Sequence, residues 1–252
     1  MPTRSTKQTM KKFFIKSILK ALQDPEVEDT LWRNLHRPAR IDKPGPEDIW
    51  LNLWRQAGVE TAKYVTDHML TTKPISGRFQ LFDLSLSKAP KDGLFLEFGA
   101  GYKGGTINYL AKQIDGTIHG FDSFEGLPED WFGVLGKGSL STDGVMPKVS
   151  DNVMLHKGWF DKSIPEFLQN HDGNVAFMHI DCDLYSSTKV IFDLLRNRIV
   201  TGTVIQFDEY FNYPGWQHHE FKAFHEYLSE TQSGYEYLGY DRKNFAVGVR
   251  IL

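Results

Sequence analysis

The chain has 252 residues and a mass of 28.9 kDa, which suits one large α/β domain with an appendage. Hydrophobic residues form 40% and aromatic residues 13% of the sequence, so the composition supports a sizeable core and excludes general disorder. The net charge of −3 offers no basic surface for nucleic acid or an acidic membrane. The single cysteine, Cys182, excludes an internal disulfide framework and predicts a reducing, cytoplasmic location.

Residues 1–90 form the first of two predicted parts, a mostly helical cap or extension without alternating strands. An amphipathic helix is expected over residues 10–22, since Lys16 and Lys20 interrupt the apolar run that a signal peptide requires. A second helix is expected from residue 48 to about residue 69. No apolar run approaches the roughly 18 residues of a membrane-spanning helix, so we expect no transmembrane segment.

Residues 91–252 form the second part, in which short apolar runs alternate with helical segments. The five candidate strands before residue 210 are 94–98, 117–121, 153–156, 175–180 and 203–207. Alternation of this kind predicts a doubly wound, mostly parallel sheet with a Rossmann-like arrangement. Two further candidates, 235–238 and 246–251, are close enough in sequence to form a hairpin. One of them must therefore be antiparallel, which predicts seven strands in all.

A glycine turn follows the first of these strands and is the clearest cofactor signal in the chain. Gly99, Gly101 and Gly104 lie between an apolar run and a helical segment, as in a nucleotide-binding loop. Their spacing is also that of the dinucleotide fingerprint, so the turn alone leaves NAD and S-adenosylmethionine (SAM) open. Glu97 favours SAM, because a strand buried on both faces is normally apolar there and a carboxylate suits a positively charged cofactor.

The second predicted strand ends next to Asp122, 18 residues after Gly104 in the sequence. This distance is typical of an acid that accepts hydrogen bonds from ribose hydroxyls, in SAM or in NAD alike. The alternative is a turn acid, because Asp122 and Ser123 open a stretch that favours a turn.

Acidic residues follow the fourth and fifth predicted strands, with Asp181 and Asp183 after one and Asp208 and Glu209 after the other. Neighbouring strands lie about 4.8 Å apart, so these carboxylates would raise one another's pKa unless a cation separated them. Mg²⁺ prefers such oxygen ligands, and Asp181 with Asp208 form the predicted pair, with Glu209 as a weaker candidate. Asp183 is predicted instead to cap the next helix.

A metal would make a bound hydroxyl more acidic, and Asp181 is the predicted base that takes its proton. Histidines offer an alternative base, although His179 is expected to be a packed core residue. At most one of the adjacent His218 and His219 can face a pocket, because neighbouring helical residues point about 100° apart. The glycine-rich stretch 131–144 is predicted to be a lid or a binding loop.

Five aromatic residues are candidates for an apolar binding face, although a single aromatic residue of this kind is more often part of the core: Trp131, Phe132, Trp159, Tyr210 and Trp216.

Several motifs together resemble the macrocin O-methyltransferase family, which are SAM-dependent sugar O-methyltransferases of antibiotic biosynthesis. The matching strings are EFGAGYKGG (97–105), GFDSFEGLP (120–128), KGWF (157–160), HIDCDLYSST (179–188) and FDEY (207–210). The resemblance covers roughly residues 93–250. It implies a class I methyltransferase fold and SAM contacts from the glycine turn, Asp122, Ser123 and the segment Gly158, Trp159 and Phe160. The Asp181 carboxylate is also expected to lie against the cofactor.

The same resemblance implies a Mg²⁺ site at Asp181, Asp208 and Glu209, with Asp181 as the base. The family commonly has two aspartates where this chain has Asp208 and Glu209, so the last ligand differs. The activity that the resemblance implies is methylation of a hydroxyl on a small glycosidic substrate. An NAD(P)-dependent oxidoreductase and a non-catalytic SAM-binding partner subunit remain the alternatives, and a homo-oligomer is compatible with the sequence.

Overall fold

The structure is a computed structural model that describes residues 48–101, 104–133 and 135–252. Residues 48–252 belong to one compact unit. The helix predicted over residues 10–22 lies outside the described residues. The described part of the predicted N-terminal extension, residues 48–90, lies in the same compact unit as the sheet, so no break occurs near residue 90.

Helices flank a single sheet in this unit. The helices are α1 (Ile49–His68), α2 (Arg78–Lys88), α3 (Gly105–Ala111), α4 (Phe160–Leu168), α5 (Tyr185–Leu195) and α6 (Glu220–Thr231). The strands are β1 (Lys73–Ile75), β2 (Leu94–Phe98), β3 (Ile118–Asp122), β4 (Val153–Lys157), β5 (Val175–Ile180), β6 (Val204–Phe207), β7 (Tyr235–Asp241) and β8 (Val247–Ile251). Among the helices of the described residues, none is long and apolar enough to cross a bilayer.

The eight strands lie in the order β1-β7-β8-β6-β5-β2-β3-β4. Strand β8 runs antiparallel to its neighbours β6 and β7, and the other pairs are parallel. The predicted doubly wound, mostly parallel sheet with one antiparallel strand is therefore confirmed. The order reverses between β2 and β5, and in such sheets ligands bind beyond the carboxyl ends of the strands at this point.

The strand count is one higher than predicted, because β1 adds an edge to the sheet. Residues Lys73, Pro74 and Ile75 pair with β7 in parallel. Three residues are too few to show an alternating pattern, and a proline argues against a strand unless it lies at an edge. The seven predicted strands are all present, with ends that differ from the expected ones by at most three residues.

Burial explains why the central strands form where they do. Every residue of β5 is buried, and β2 is buried except for Phe95. Helices α2 and α3 pack their apolar sides on this part of the sheet, with Phe82, Leu110 and Phe177 in one hydrophobic cluster. Burial of each such side chain contributes about 2 kcal/mol to the free energy of folding. The cluster therefore holds the central strands, and with them the strand ends, in place.

Helix α1 lies at the carboxyl edge of the sheet. The Asp48 side chain caps it by accepting a hydrogen bond of 2.9 Å from the Leu51 amide. The Trp54 ring lies 6.2 Å from Phe245, in the β7–β8 turn, and Tyr64 packs edge-on against Trp216 after β6. The helix predicted from residue 48 to about residue 69 is confirmed, and it borders the edge where a ligand is expected.

Candidate active site at the carboxyl edge of the sheet

The candidate site begins where the central strands end at the same level. The Asp181 amide donates to the Phe98 carbonyl and the Asp208 amide to the Ile180 carbonyl, each over 2.9 Å. The parallel pairing of β2, β5 and β6 thus continues one residue past the strands. As a result the glycine turn and two acidic loops open at one edge, as the strand assignments predicted.

The glycine turn passes very close to the loop after β5. A Cβ atom on Gly99 would lie 1.8 Å from the carbonyl oxygen of Asp181, and Gly99 has a φ of +96°. Gly104 has a φ of +62° and precedes the first residue of α3. Glycine is therefore required here for a close approach and for left-handed backbone, which brings the turn against the acidic loop.

Asp122 fastens the glycine turn to the end of β3. Its Oδ2 accepts a hydrogen bond of 2.7 Å from the Gly101 amide, and its Oδ1 accepts one of 2.6 Å from the Phe124 amide. Burial raises the pKa of Asp122, although both amides act in the opposite direction. The turn role of Asp122 is present in the structure, and the proposed ribose role would use the remaining lone pairs of the same carboxylate.

Glu97 is completely buried and already has protein partners. It accepts a hydrogen bond from the Thr106 hydroxyl, and its Oε1 lies 3.6 Å from Nδ1 of His179. Its Oε2 has no hydrogen-bond partner among the described residues. Glu97 was expected to face a positively charged cofactor. Within the protein, His179 supplies part of that positive charge.

His179 lies between two carboxylates in the buried core. Its Nε2 is 3.9 Å from Oδ1 of Asp208, on the side opposite Glu97. Burial alone would lower the pKa of His179, but Asp208 and Glu97 outweigh it and raise the pKa to about 10. The ring also packs edge-on against Phe82. The residue is thus a packed core histidine, as predicted, and the two carboxylates favour its protonated form.

Asp181 and Asp208 approach each other beside an arginine from α2. Nη1 of Arg78 lies 2.7 Å from Oδ2 of Asp208 and 3.6 Å from Oδ2 of Asp181. Burial and the neighbouring Asp208 raise the pKa of Asp181 to about 7. The Asp181 side chain is 24% exposed, whereas that of Asp208 is 2% exposed. A ligand therefore has access to Asp181 rather than to Asp208.

Glu209 belongs to a buried group of acids that also includes Asp183 and Glu220. The buried carboxylate of Glu220, the first residue of α6, accepts hydrogen bonds from the Asp183 amide and the Glu209 amide. Burial and Asp208 raise the pKa of Glu209 well above its usual range. Its Oε2 has no hydrogen-bond partner among the described residues.

The predicted capping role of Asp183 is wrong. Helix α5 begins at Tyr185 with Leu184 at the capping position, and no side chain caps it. Asp183 has a φ of +62°, outside the conformation of a capping residue, and its side chain is buried. The left-handed turn directs Asp183 into the acidic group instead.

The carboxylates fit an oxygen-preferring cation. Two sets of described residues bring ligand atoms within 4.8 Å of one another: His179, Asp181 and Asp208, and Asp181, Asp183 and Glu209. The second set offers only carboxylate oxygens and includes the unpartnered Oε2 of Glu209, which is the environment that Mg²⁺ prefers. The predicted ligands Asp181, Asp208 and Glu209 are thus neighbours, although they fall into two sets that share Asp181.

The predicted KGWF segment follows β4 at the same edge. The Gly158 amide donates to the Asp122 carbonyl over 2.9 Å, which ties the segment to the end of β3. The Trp159 side chain is 39% exposed, and the Phe160 ring packs edge-on against Phe98. Ser123 is buried and accepts a hydrogen bond from the Glu125 amide, so its hydroxyl is used in a local turn.

The other predicted candidates divide between core and surface. Trp131, Tyr210 and Trp216 are buried, whereas Trp159 is exposed and Phe132 partly so. Phe132 stacks on Trp50 of α1, so the start of the 131–144 loop contacts that helix.

The two histidines after β6 differ in exposure. His218 is exposed, whereas His219 is half-buried, and burial together with His218 lowers the pKa of His219. Whether either histidine acts as a base stays a prediction. Burial raises the pKa of the Cys182 thiol, which lies 3.4 Å from the Thr188 hydroxyl, and this disfavours the reactive thiolate form.

Sequence reasoning missed Arg78 and Glu220. Arg78 lies in the part of the chain that was expected to be separate from the sheet, more than a hundred residues before its partner Asp208. Its one signal is its position at the start of a helix, where a cation is unfavourable unless acids lie nearby. Glu220 resembles any acid in a first helical turn, and its burial depends on the approach of two loops.

Comparison with known families agrees with this geometry. Residues 96–210 match a family described as a methyltransferase domain. This segment runs from β2 to the residue after Glu209, and so contains the glycine turn and both acidic loops. No curated protein sequence matches the chain.

Two solved structures share the fold. The O-methyltransferase NovP is 21% identical, with 69% of this chain and 78% of NovP covered and a TM-score of 0.50. The calicheamicin methyltransferase CalS11 is 20% identical, with 82% of this chain and 94% of CalS11 covered and a TM-score of 0.50. The domain match and the shared fold confirm the class I methyltransferase fold that the motifs indicated.

Proposed function

We propose that the protein is a SAM-dependent O-methyltransferase that methylates a hydroxyl group of a small glycosidic substrate with the help of a divalent cation. One observation carries the proposal: within a class I methyltransferase fold, the glycine turn lies against the loop that bears Asp181. A cofactor in the turn and a hydroxyl at Asp181 would therefore be neighbours. Methyl transfer requires such an arrangement, because the two reactants must meet in line.

The cofactor side of the site consists of the loops after β2, β3 and β4. We assign SAM to the glycines Gly99, Gly101 and Gly104, with Asp122 at the ribose. Glu97 would support the turn, because it accepts a hydrogen bond from the Thr106 hydroxyl at the start of α3. The remaining predicted contacts are Ser123, Gly158, Trp159, Phe160 and the edge of Asp181.

Asp181 is the proposed base. Without a cation, burial and Asp208 raise the pKa of Asp181 to about 7, and a bound cation would act in the opposite direction and keep the carboxylate ionised. Its partial exposure leaves it within reach of a bound hydroxyl. We expect the Asp181 carboxylate to orient the hydroxyl and to take its proton as the oxygen is methylated.

The proposed cation ligands are Asp181, Asp208 and Glu209. SAM supplies an electrophilic methyl group, and a divalent cation lowers the pKa of a hydroxyl that binds to it. Asp183 lies in the same oxygen set as Asp181 and Glu209. Because burial raises the pKa of Glu209, a cation would stabilise its ionised form.

A glycosidic acceptor is supported by the motifs and by the aromatic side chains at the edge. The strings at 120–128 and 179–188 resemble those of sugar O-methyltransferases. Trp159 is 39% exposed and Trp50 is 38% exposed, and both lie on elements that border the carboxyl edge. Exposed aromatic rings of this kind pack against the apolar faces of sugars and aglycones.

The proposal is tested by following labelled methyl transfer from SAM to nucleotide sugars and glycosides, with wild type, Asp181→Asn and the control Asp172→Asn. Asp172 is fully exposed, and its Oδ1 lies 3.3 Å from Nη2 of Arg198 at the surface. We expect wild type and the control to transfer methyl, and Asp181→Asn to lose at least 100-fold in rate while still binding S-adenosylhomocysteine. EDTA should reduce transfer and Mg²⁺ should restore it.

Two outcomes would overturn the proposal in different ways. Binding of S-adenosylhomocysteine without turnover on any acceptor would favour a non-catalytic SAM-binding subunit. Binding of NADH without binding of S-adenosylhomocysteine would favour an oxidoreductase, which has no use for the acidic loops.

A further inference from the structure

Arg78 occupies an unusual place in the site. It is the first residue of α2, follows Gly77 with a φ of +117°, and is 13% exposed at its side chain. The positive end of a helix dipole disfavours a cation there by several tenths of a kcal/mol. The guanidinium is nevertheless held inward, 2.7 Å from Oδ2 of Asp208.

Two carboxylates share a single nitrogen of this guanidinium. Nη1 of Arg78 is also 3.6 Å from Oδ2 of Asp181, so it lies between the two oxygens of the predicted metal pair. Asp208 is 2% exposed, and a buried carboxylate without a nearby cation is strongly destabilising. Arg78 therefore meets the same electrostatic need that a divalent cation would meet.

We infer that Arg78 is a built-in counter-cation that competes with the divalent cation for Asp208 and Asp181. This inference rests on the proposed cation site. Without an ion, Arg78 holds Asp208 and keeps the two acidic loops together. When an ion binds Asp181 and Glu209, Asp208 becomes a ligand only if the guanidinium releases it.

Competition of this kind sets the affinity for the ion. Part of the free energy of ion binding is spent on breaking the Arg78–Asp208 pair, so the ion binds less tightly than its carboxylates alone would allow. Removal of the guanidinium should therefore strengthen ion binding rather than weaken it.

The test is a titration of each protein with Mn²⁺, with free ion measured by electron paramagnetic resonance. The proteins are wild type, Arg78→Gln, Arg78→Lys and the control Arg242→Gln, which removes the same charge from an exposed turn. We expect Arg78→Gln to bind Mn²⁺ about ten-fold more tightly than wild type, which corresponds to about 1.4 kcal/mol. Arg242→Gln should match wild type, and Arg78→Lys, which keeps the charge but holds Asp208 less well, should bind Mn²⁺ two- to three-fold more tightly than wild type.

Thermal melting provides the second measurement. Without an ion, Arg78→Gln should melt at a lower temperature than wild type, because Asp208 loses the guanidinium 2.7 Å from its Oδ2. Saturating Mn²⁺ should raise its melting temperature by more than that of wild type. If Arg78→Gln does not fold, Arg78→Lys tests the inference instead. Its shorter side chain holds Asp208 less well, so this variant should bind Mn²⁺ two- to three-fold more tightly than wild type.

The results separate the inference from the function on which it rests. Equal or weaker Mn²⁺ binding by Arg78→Gln, with wild type binding the ion, would overturn the competition alone. If no variant binds Mn²⁺ at millimolar concentration, the cation part of the proposed function is wrong, and the competition is wrong with it. Methyl transfer by the ion-free enzyme would then leave the rest of the proposed function standing.

Discussion

The Asp122 carboxylate is held against the backbone of Gly101, whose amide donates to its Oδ2 over 2.7 Å. This bond joins the turn after β2 to the end of β3. A Cβ atom on Gly101 would lie 2.5 Å from the same oxygen. The glycine therefore provides room for the acid, and the position of Asp122 depends on it.

Gly101→Ala should weaken binding of S-adenosylhomocysteine about ten-fold, or about 1.4 kcal/mol. The added methyl group must displace the Asp122 carboxylate, which moves the proposed ribose contact and the turn together. Calorimetric titration measures the effect. Gly116→Ala is the matched control, because nothing lies within 4 Å of a Cβ atom there, and it should bind like wild type. Unchanged binding by Gly101→Ala would show that the cofactor does not depend on this arrangement.

Glu209→Gln should weaken binding of Mg²⁺ or Mn²⁺ at least about ten-fold and leave binding of S-adenosylhomocysteine unchanged. The substitution removes the charge of a buried carboxylate whose Oε2 has no partner among the described residues, and a neutral amide is a poorer ligand for a hard cation. Glu236→Gln serves as the control, since Glu236 pairs with Arg250 at the surface. If Glu209→Gln bound the ion as tightly as wild type, Glu209 would not be a ligand.

Glu220→Ala should lower the free energy of unfolding by about 2 kcal/mol, because two buried backbone amides, of Asp183 and Glu209, would lose their acceptor. Urea denaturation measures the change, with the exposed Glu125→Ala as a control that should stay within about 0.5 kcal/mol of wild type. A more stable Glu220→Ala protein would mean that repulsion among the acids outweighs the two hydrogen bonds.

Acid should destabilise the protein through a histidine cluster on β3 and β4. Nδ1 of His119 lies 3.0 Å from Nε2 of His156, and the His171 ring is 4.8 Å from that of His119. Burial, with the charges of His156 and His171, lowers the pKa of His119 from 6.5 to about 4. Between these two values the unfolded chain binds the proton first, so the free energy of unfolding falls as the pH decreases from 6.5 to 4.

Urea denaturation at several pH values tests this prediction. His119→Gln should reduce the pH dependence in that range, whereas the exposed His218→Gln should keep it. Since burial and His171 also lower the pKa of His156, part of the slope should remain in His119→Gln. A slope that is identical in His119→Gln and wild type would assign the acid sensitivity to other groups.

Much of the fold could be predicted from the sequence, because the central strands are short apolar runs bounded by turns. The run 94–98 and the run 175–180 end as β2 and β5 end. Their parallel neighbours could be inferred from alternation with helices, and hence Asp181 and Asp208 could be brought to one edge. The edge strand Lys73–Ile75 could not be predicted, since three residues with a proline show no alternating pattern.

The site was harder to predict where long-range contacts decide the role of a side chain. Asp183 fits the capping pattern locally, but its left-handed backbone and Glu220 direct it inward. Glu97 suggested a charged cofactor, and the structure shows that His179 also faces it. Arg78 could not be placed at all, because its partners follow it by more than a hundred residues. The roles of these residues in binding and catalysis, like the cytoplasmic location, stay predictions.

The most direct test of a SAM-dependent methyltransferase is calorimetric titration of the protein with S-adenosylhomocysteine, with NADH in a parallel titration. The glycine turn has the spacing of both kinds of site, so this comparison separates them. We predict saturable binding of S-adenosylhomocysteine at one site per chain and no binding of NADH. Saturable binding of NADH without binding of S-adenosylhomocysteine would contradict the proposed function.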